Sequence, residues 1–329
     1  SNFLNSDVNK IGVLVKSNPR AILMHLGPQS NWTKNTKTGF EAMIYNEKGI
    51  AVPELNTDIQ NLLENISILS SDIDYVIMAP THLVLNLDFG PIIAAHKAYQ
   101  HGITLVYARE TNLKKTFLSA PIVTFDATKT VTNLVMNTGT KATGNAGLST
   151  YLFDRQVLLD LLSQGALIPG ITLDELLMQL VAKKTLNIKV FRHYGYVRCF
   201  ETLEQYYFYS SELLENRYRQ QLFSEERPFF TRTHDTPPSL YGAKAKVMNS
   251  FIANGATING TVINSIISRN VTISEGAIVK NCILFTNTFI GPEVQISHLL
   301  SDKNVRIEGV KELNGQAQTP KYLKVGTNL

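Results

Sequence analysis

Aliphatic residues recur at a spacing of six positions in the C-terminal part of the chain, from residue 247 to residue 310. The spacing is clear at Ile267, Ile273 and Val279, and pairs such as Asn254-Gly255 separate the apolar positions. Because Asn-Gly pairs form turns, each repeat predicts one short strand and one tight turn. A strand of this length buries its aliphatic side chain only against the next coil of a stack. The pattern therefore predicts a parallel β-helix of hexapeptide type.

The alternative for this segment is an antiparallel β-sandwich. Sandwich strands alternate apolar and polar residues over longer runs and need room for loops. The apolar runs here are only three or four residues long, so the β-helix is favoured. A β-helix serves as a scaffold, as an assembly surface, or as a site for sugar nucleotides or acyl groups, and it does not name a reaction.

Predicted strands and helices alternate from the N-terminus to about residue 215. This rhythm predicts an α/β domain with a mostly parallel sheet. A segment with several prolines follows, so the predicted organisation is an α/β domain over 1–222, a linker over 223–246 and the β-helix over 247–329. The predicted strands are Ile11–Lys16, Asp74–Pro80, Ile103–Arg109 and Leu186–Gly195, and the predicted helices are Asp58–Leu69, Phe89–Gly102, 154–165, Leu173–Lys184 and Thr202–Leu222.

Composition narrows the class of protein. The 329 residues are 44% hydrophobic and 18% charged, which is typical of a globular protein. The net charge of +4 comes without a run of five basic residues, so neither nucleic acid nor a membrane surface is an expected partner. We find no apolar stretch near eighteen residues and no secretory leader pattern. Cys199 and Cys282 lack disulfide or metal-ligand spacing, and we expect two reduced thiols in a cytoplasmic protein.

Four segments carry a resemblance to a known family. Phe229–Gly242 reads FFTRTHDTPPSLYG and, with the repeat that follows, resembles the junction and β-helix of bacterial ADP-glucose pyrophosphorylases (glucose-1-phosphate adenylyltransferases). Ser1–Leu26, Asn145–Leu162 and Gly195–Leu214 are similar to that family in position and pattern. The resemblance covers nearly the whole chain. It implies a Rossmann-like nucleotidyltransferase domain followed by a left-handed β-helix, and transfer of an adenylyl group from ATP to glucose 1-phosphate with release of pyrophosphate.

The family's reaction needs Mg²⁺, held by two aspartates, and a lysine for the sugar phosphate. The first aspartate belongs in an S-G-D-H turn, and this chain has Thr81 there, in Ala79–His82. The second belongs in Y-W-R-D, and this chain has Cys199 there. The E-K-P motif of the lysine corresponds to Val131–Thr138, which contains no Glu, Lys or Pro, and the nearest cation is Lys141. Since a divalent ion needs anionic oxygen ligands, we predict no catalytic residue, no metal site and no cofactor for this chain.

The resemblance also assigns weaker roles. The family's glycine-rich phosphate loop would precede Ser1, so the nucleotidyltransferase domain is expected to be N-terminally incomplete. Glu201 lies two positions beyond Cys199 and, in a strand, would point the same way. A lone histidine at a strand end is more often a packing residue than a ligand. The expected remnants of the substrate pocket are His82, Asp174, Arg198 and Glu201. A possible effector or anion site comprises Lys16, Arg20, Arg232 and His234, for which surface charges and a capping histidine are the simpler interpretation.

These substitutions resemble the non-catalytic partner subunit of GlgD type. The expected function is therefore a regulatory subunit in glycogen biosynthesis, with a homologous catalytic subunit as partner. Self-association and binding of a sugar-phosphate or other anionic effector are further options. The alternatives are an active nucleotidyltransferase whose metal is held by Glu201 with Asp72 or Asp74, an acyltransferase using His298, and an assembly protein without a ligand.

Overall fold

The computed structural model describes residues 1–8, 10–16, 22, 40–45, 55–70, 72–231 and 234–329. The chain divides into two compact units. The N-terminal unit comprises Ser1–Glu201 with Leu222–Arg232, and the C-terminal unit comprises Thr202–Gln221 with Thr233–Leu329. Within the described residues, no helix is both long and apolar enough to cross a membrane.

The N-terminal unit alternates strands and helices, as its apolar pattern predicts. Its described helices are α1 (Asn2–Asn5), α2 (Asp58–Glu64), a 3₁₀-helix (Ile66–Leu69), α3 (Phe89–Tyr99), α4 (Arg155–Gly165) and α5 (Leu173–Ala182). Its described strands are β1 (Lys10–Val15), β2 (Phe40–Tyr45), β3 (Tyr75–Met78), β4 (Leu83–Leu85), β5 (Ile103–Glu110), β6 (Pro121–Phe125), β7 (Val131–Met136), β8 (Gly144–Asp154), β9 (Lys189–His193) and β10 (Val197–Cys199).

Six of these strands form the main sheet, in the order β7-β6-β8-β5-β9, with β3 also paired to β8. Four strands, β3, β5, β6 and β9, run in one direction, and β7 and β8 run in the other. The predicted α/β class is confirmed. Most neighbouring pairs are nevertheless antiparallel, because the long strand β8 lies between strands that run the opposite way.

Strand β5 shows why the apolar runs are continuous. Leu105 and Val106 are both buried, and each belongs to a different apolar cluster, one on either face of the sheet. Helices α4 and α5 contribute Leu158 and Leu177 to the first cluster, and α3 contributes Ile92 to the second. A strand covered on both faces has no polar side to display, so its sequence does not alternate.

The C-terminal unit is a left-handed parallel β-helix, which confirms the prediction from the six-residue spacing. Three parallel sheets of five strands each form its sides. The register stacks Ile258, Ile273 and Ile290 directly on one another, and all three are fully buried. The first sheet contains β11 (Leu240–Tyr241), β14 (Thr257–Ile258), β17 (Thr272–Ile273), β20 (Phe289–Ile290) and β23 (Arg306–Ile307); the second contains β12 (Lys246–Met248), β15 (Thr261–Ile263), β18 (Ile278–Lys280), β21 (Gln295–Ser297) and β24 (Glu312–Asn314); the third contains β13 (Phe251–Ile252), β16 (Ile266–Ile267), β19 (Ile283–Leu284), β22 (Leu299–Ser301) and β25 (Lys321–Leu323).

The first coil begins inside the segment predicted as a linker. Strand β11 pairs with β14 through Leu240 and Thr257. The proline-containing segment before it contributes to the coil as well, since the Pro237 carbonyl accepts a hydrogen bond from the Gly255 amide at 2.7 Å. An Xaa-Pro segment is extended, which suits the side of a β-helix as well as it suits a linker.

Two helices replace the single helix predicted over Thr202–Leu222. They are α6 (Leu203–Glu212) and α7 (Asn216–Leu222), so the prediction of one continuous helix was wrong. The chain turns between them, and the Arg219 guanidinium donates hydrogen bonds to the carbonyls of Leu213 and Leu214, each at 3.2 Å. Those carbonyls are satisfied by a side chain, so the backbone does not continue the helical pattern there.

Asparagines at the corners of the β-helix adopt the left-handed backbone conformation. Asn249, Asn264 and Asn281 follow successive strands of the second sheet with φ between 43° and 51°. Asparagine enters this region at lower cost than most residues, which explains its abundance here. His298 occupies the next corner of the same column, with φ of 52°. Its ring lies 3.3 Å from the Asn281 side-chain amide and 3.4 Å from the Tyr207 hydroxyl, and these contacts hold it at the corner.

Candidate functional site

A cavity of about 480 Å³ lies in the N-terminal unit. Helices α2 and α5 point their first turns at it, through Asp58 and Asp174, and the segment after β3 contributes Thr81 and His82. Its remaining lining residues are Phe3, Ile11, Gly12, Val13, Leu14, Met78, Ala79, Pro80, Ser119, Ser149, Tyr151 and Leu173. The cavity therefore combines apolar walls with converging polar groups, which is typical of small-molecule sites.

Asp174 is held by two hydroxyl groups of strand β8. The Ser149 hydroxyl donates to one carboxylate oxygen at 2.6 Å, and the Tyr151 hydroxyl donates to the other. Burial raises the pKa of Tyr151 well above its ordinary value, and the charge of Asp174 raises it further. Tyr151 consequently stays protonated and fixes the carboxylate in place.

A bulge in β8 directs Ser149 to Asp174. The pairing of β5 with β8 shifts at this point, so that Val106 faces Thr150 while Tyr107 faces Gly147. Ser149 has a φ of 43°, a left-handed conformation that is rare for serine in a strand. Bulges redirect side chains and are frequent beside binding sites.

Asp58 places a second carboxylate at the same cavity. One of its oxygens accepts hydrogen bonds from the amides of Ile59 at 2.9 Å and Leu173 at 3.0 Å. Burial raises the pKa of Asp58, and the nearby charge of Asp174 adds to that rise, although the amide hydrogen bonds oppose it. Two acids at one wall accept hydrogen bonds from ligand hydroxyl groups but repel a phosphate.

Strands β4 and β10 form an antiparallel ribbon that brings together the two positions assigned to metal aspartates. Cys199 pairs with Leu83, and the Phe200 amide donates to the His82 carbonyl at 2.8 Å. Thr81 therefore lies beside the end of β10. The structure thus brings the two positions that the resemblance assigns to metal ligands to one end of this ribbon.

Neither side chain is an anionic oxygen ligand. Cys199 is fully buried, and burial, followed by the charge of Glu201, raises its pKa to about 12. It is therefore a neutral thiol at physiological pH, and Thr81 offers only a neutral hydroxyl. Mg²⁺ prefers charged oxygen ligands, so these two residues do not fit the ion that the family uses. Across the parts of the chain that the structure describes, no group of three His, Cys, Asp or Glu residues is placed to hold a metal ion.

Glu201 is directed to a neighbouring turn. Its carboxylate accepts hydrogen bonds from the Ser119 amide at 2.6 Å and the Ser119 hydroxyl at 2.7 Å. His82 is half-buried at the cavity, and burial lowers its pKa against the opposing charges of Glu201 and Asp174. The imidazole is therefore neutral at pH 7 and can donate or accept a hydrogen bond.

The other residues of the alternative metal site lie elsewhere. Asp72 bonds to Lys10 and Ser70, and both Asp72 and Asp74 precede β3, whereas Thr81 follows it. A four-residue strand spans about 13 Å. The structure therefore does not bring Asp72 or Asp74 together with Glu201.

Arg198, like Glu201, lies outside the cavity lining, which includes the other two predicted pocket residues, His82 and Asp174. Arg198 stacks on the ring of Tyr196, with its guanidinium carbon 4.8 Å from the ring centroid, and donates to the Val197 carbonyl at 3.0 Å. These contacts hold the guanidinium against its own strand.

The stretch corresponding to the E-K-P motif contains a residue with a structural role. Asn137 is buried, and its side-chain amide donates to the carbonyls of Leu113, Thr116 and Phe117 at 2.8–3.1 Å. Lys141 is exposed on the following loop.

The predicted effector residues are only partly described. Lys16 is exposed after β1, and its carbonyl accepts a hydrogen bond from Asn56 at 2.6 Å. His234 is exposed and belongs to the other compact unit. Arg20 and Arg232 lie outside the described residues.

Sequence reasoning missed Asp58, Ser149 and Tyr151. A signal for the bulge was present in Gly147, because a glycine inside a strand marks a bulge or close packing. Asp58 follows Thr57 at the start of a predicted helix, where an acid reads as part of a cap. The role of Asp58 at the cavity depends on the distant helix α5, whose Leu173 amide donates a hydrogen bond to it.

The raised pKa of Cys199 leads to a prediction on thiol reactivity. At pH 8, a group with a pKa near 12 is thiolate in about one molecule in 10⁴, and only the thiolate attacks a disulfide reagent. Cys282 is also buried, with its pKa raised to about 12. We expect neither thiol to react with Ellman's reagent in the folded protein and both to react in denaturant. Rapid labelling of a folded Cys282→Ser variant would show instead that Cys199 is accessible and ionised.

Comparison with known proteins supports the resemblance along the whole chain. Residues 238–317 match the family model described as the GlmU-like C-terminal hexapeptide. The chain is 25% identical to the glycogen biosynthesis protein GlgD of Bacillus subtilis (strain 168), over 99% of its own length and 84% of that protein. It is 23% identical to a glucose-1-phosphate adenylyltransferase of Desulfitobacterium hafniense (strain DSM 10664 / DCB-2), over 92% of the chain and 77% of the enzyme. A second GlgD protein, from Geobacillus stearothermophilus, is 25% identical over 85% of the chain and 71% of that protein. The resemblance inferred from the residues is confirmed.

Proposed function

We propose that this chain is a regulatory, non-catalytic subunit of a glucose-1-phosphate adenylyltransferase in glycogen biosynthesis. In this role it assembles in the cytoplasm with a homologous catalytic subunit. That partner converts ATP and glucose 1-phosphate to ADP-glucose and pyrophosphate. Some relatives are named GlgD and others are named glucose-1-phosphate adenylyltransferase, which supports a role beside that enzyme.

The observation that carries the proposal is the ribbon of β4 and β10. It brings together the two positions that the resemblance assigns to metal ligands, and these positions carry Thr81 and the neutral, buried Cys199. Adenylyl transfer brings two anions together, so a site without charge neutralisation loses most of its rate. A chain that has this fold and lacks these charges is suited to regulate the activity of a partner and not to catalyse the transfer itself.

The cavity suits a role in sensing. Asp174, Tyr151 and Ser149 form a complete hydrogen-bonded group, and such preorganised groups bind a ligand without further ordering. A ligand bound here would favour whichever conformation of the assembly holds the cavity in this form.

The test is to titrate the catalytic homologue with this chain and follow pyrophosphate release. We expect the rate, or its response to sugar phosphates, to change at least about threefold and to saturate at a fixed ratio of the two chains. The matched control is the Cys199→Ser variant. Because it alters only a residue that we regard as chemically silent, it should modify the partner to the same extent.

Two results would contradict the proposal. If the two chains elute separately and the partner's kinetics stay unchanged at every ratio, the chain is not its regulatory subunit. If the added rate equals the turnover of this chain alone, the chain is itself an enzyme, and the alternative of a rearranged metal site is favoured.

A further inference from the structure

Strands β5 and β9 end side by side with a set of aromatic and cationic residues on one face. The two strands are parallel, and the register pairs Tyr107 with Arg192. Register partners and residues two positions apart project from the same face of a sheet. Tyr107, Arg109 and Arg192 therefore share a face at the carboxyl ends of the strands. Tyr194 directly follows β9, and its ring lies 4.4 Å from the guanidinium carbon of Arg192. We call these four residues the β5–β9 patch. Ligands of open α/β sheets bind outside the carboxyl ends of parallel strands.

The patch is open to solvent. Tyr194 is 81% exposed, and Arg109 and Arg192 are also exposed. Tyr107 is half-buried against Phe125, with ring centroids 5.0 Å apart. Within the described residues, neither phenol hydroxyl of the patch has a hydrogen-bond partner. Tyr194 therefore offers a large exposed ring and an unused hydroxyl, which suit it to contact a ligand.

The cations of the patch are not neutralised by the described part of the chain. The Arg192 guanidinium lies over the Tyr194 ring, 4.4 Å from its centroid, without an ion pair to a described carboxylate. Arg109 has a neutral neighbour, the Asn145 side-chain oxygen at 3.5 Å. Burial raises the pKa of Tyr107, and the charges of Arg192, Lys129 and Arg109 oppose that rise, which places this positive charge near the phenol.

Two other exposed arginines that stack on rings provide a contrast. Arg217 lies 4.5 Å from the ring centroid of Tyr218 and pairs with Glu215 at 2.9 Å. Arg306 lies 4.2 Å from the centroid of Phe289 and pairs with Glu308 at 2.9 Å. Stacking an arginine on a ring therefore does not by itself leave its charge unpaired in this protein. The β5–β9 patch differs by lacking a carboxylate.

We propose that the β5–β9 patch binds a nucleotide, with its phosphates on Arg109 and Arg192 and its base on the open face of Tyr194. Guanidinium groups bind phosphate oxygens through two parallel hydrogen bonds, and the Tyr107 hydroxyl can donate one more. Bases stack on exposed aromatic rings without needing a particular sequence of hydrogen bonds. The site is separate from the acidic cavity of Asp58 and Asp174, and the proposal does not rest on the proposed regulatory function.

The test is a calorimetric titration of the full chain with ADP, with pyrophosphate and with adenosine, in low salt and without divalent ions. We expect ADP to bind, Arg192→Gln to weaken ADP and pyrophosphate at least about tenfold, and Tyr194→Ala to weaken only ADP by about that factor. Arg217→Gln is the matched control, since it removes an exposed arginine that also stacks on tyrosine. It should leave every affinity within about twofold.

Each other outcome overturns the proposal. Equal ADP affinity for the unaltered chain, Arg192→Gln and Tyr194→Ala would place the ligand elsewhere. An effect of Arg192→Gln without one of Tyr194→Ala would reduce the site to a phosphate site without base recognition. If ADP fails to bind and the two variants weaken association with the catalytic homologue, the patch is a protein interface. These results are independent of whether the chain regulates its partner, so failure here leaves the proposed function untouched.

Discussion

The chain alone is expected to release no pyrophosphate above background from ATP and glucose 1-phosphate at saturating Mg²⁺. The reason is electrostatic. Removing one charge-stabilising group from a transfer site costs about 10²–10³ in rate, and here both positions that the resemblance assigns to metal ligands carry neutral side chains, Thr81 and Cys199. We therefore expect a turnover at least about 10⁴-fold below that of the catalytic homologue. A coupled pyrophosphate assay with purified protein measures this over several decades.

The matched control introduces the two neutral residues of this chain into the catalytic homologue. Replacing the two metal aspartates of the catalytic homologue by Thr and Cys should lower its turnover to the level of this chain. Magnesium-dependent turnover by the unaltered chain would show that the metal is held by other residues. If Glu201→Gln then abolished that turnover while Asp72→Asn did not, Glu201 would be one of those residues.

Truncating Ile273 to alanine is expected to destabilise the β-helix by about 3 kcal/mol, within the range for large-to-small substitutions in a core. Ile273 is fully buried in the first sheet and stacks between Ile258 and Ile290 of the neighbouring coils. Each coil of a β-helix is stabilised mainly by contacts with the coils beside it, so a cavity at this position weakens two interfaces at once. Urea unfolding followed by circular dichroism measures the shift in midpoint.

The control for this prediction is the preceding residue of the same strand. Thr272 projects outward and is half-buried, so Thr272→Ala should change the free energy of unfolding by less than about 1 kcal/mol. Equal shifts for the two variants would mean that the inward stack of isoleucines does not dominate the stability of this unit.

Much of the fold is local information. The six-residue spacing predicted the β-helix because every coil repeats the same requirement, an inward aliphatic residue followed by a corner. The stacked register of Ile258, Ile273 and Ile290 meets that requirement. The apolar runs of the N-terminal unit likewise predicted strands that are covered on both faces. The identities of Thr81 and Cys199 needed no coordinates either, since the resemblance assigned those positions from motifs.

Other features depended on contacts and strand neighbours that the apolar pattern does not record. At the break between α6 and α7, Arg219 donates hydrogen bonds to two backbone carbonyls, and the periodicity of the segment gave no sign of this break. Likewise, the antiparallel course of β8 depends on which strands flank it in the sheet, and a buried strand has the same pattern in either direction.

The sequence by itself determined the two architectures, the family resemblance and the neutral residues at the two positions that the resemblance assigns to metal ligands, because each of these depends on residue identity or short-range spacing. Only the tertiary structure decided which polar groups meet. Asp174 joins Tyr151 from 23 positions away, and Glu201 joins Ser119 from 82 positions away. It also decided that Arg109 and Arg192 share an open face and that the Tyr194 ring lies beside Arg192. Such contacts follow from strand order and from one bulge in β8. An apolar pattern records only the burial of single residues, so it does not specify these contacts.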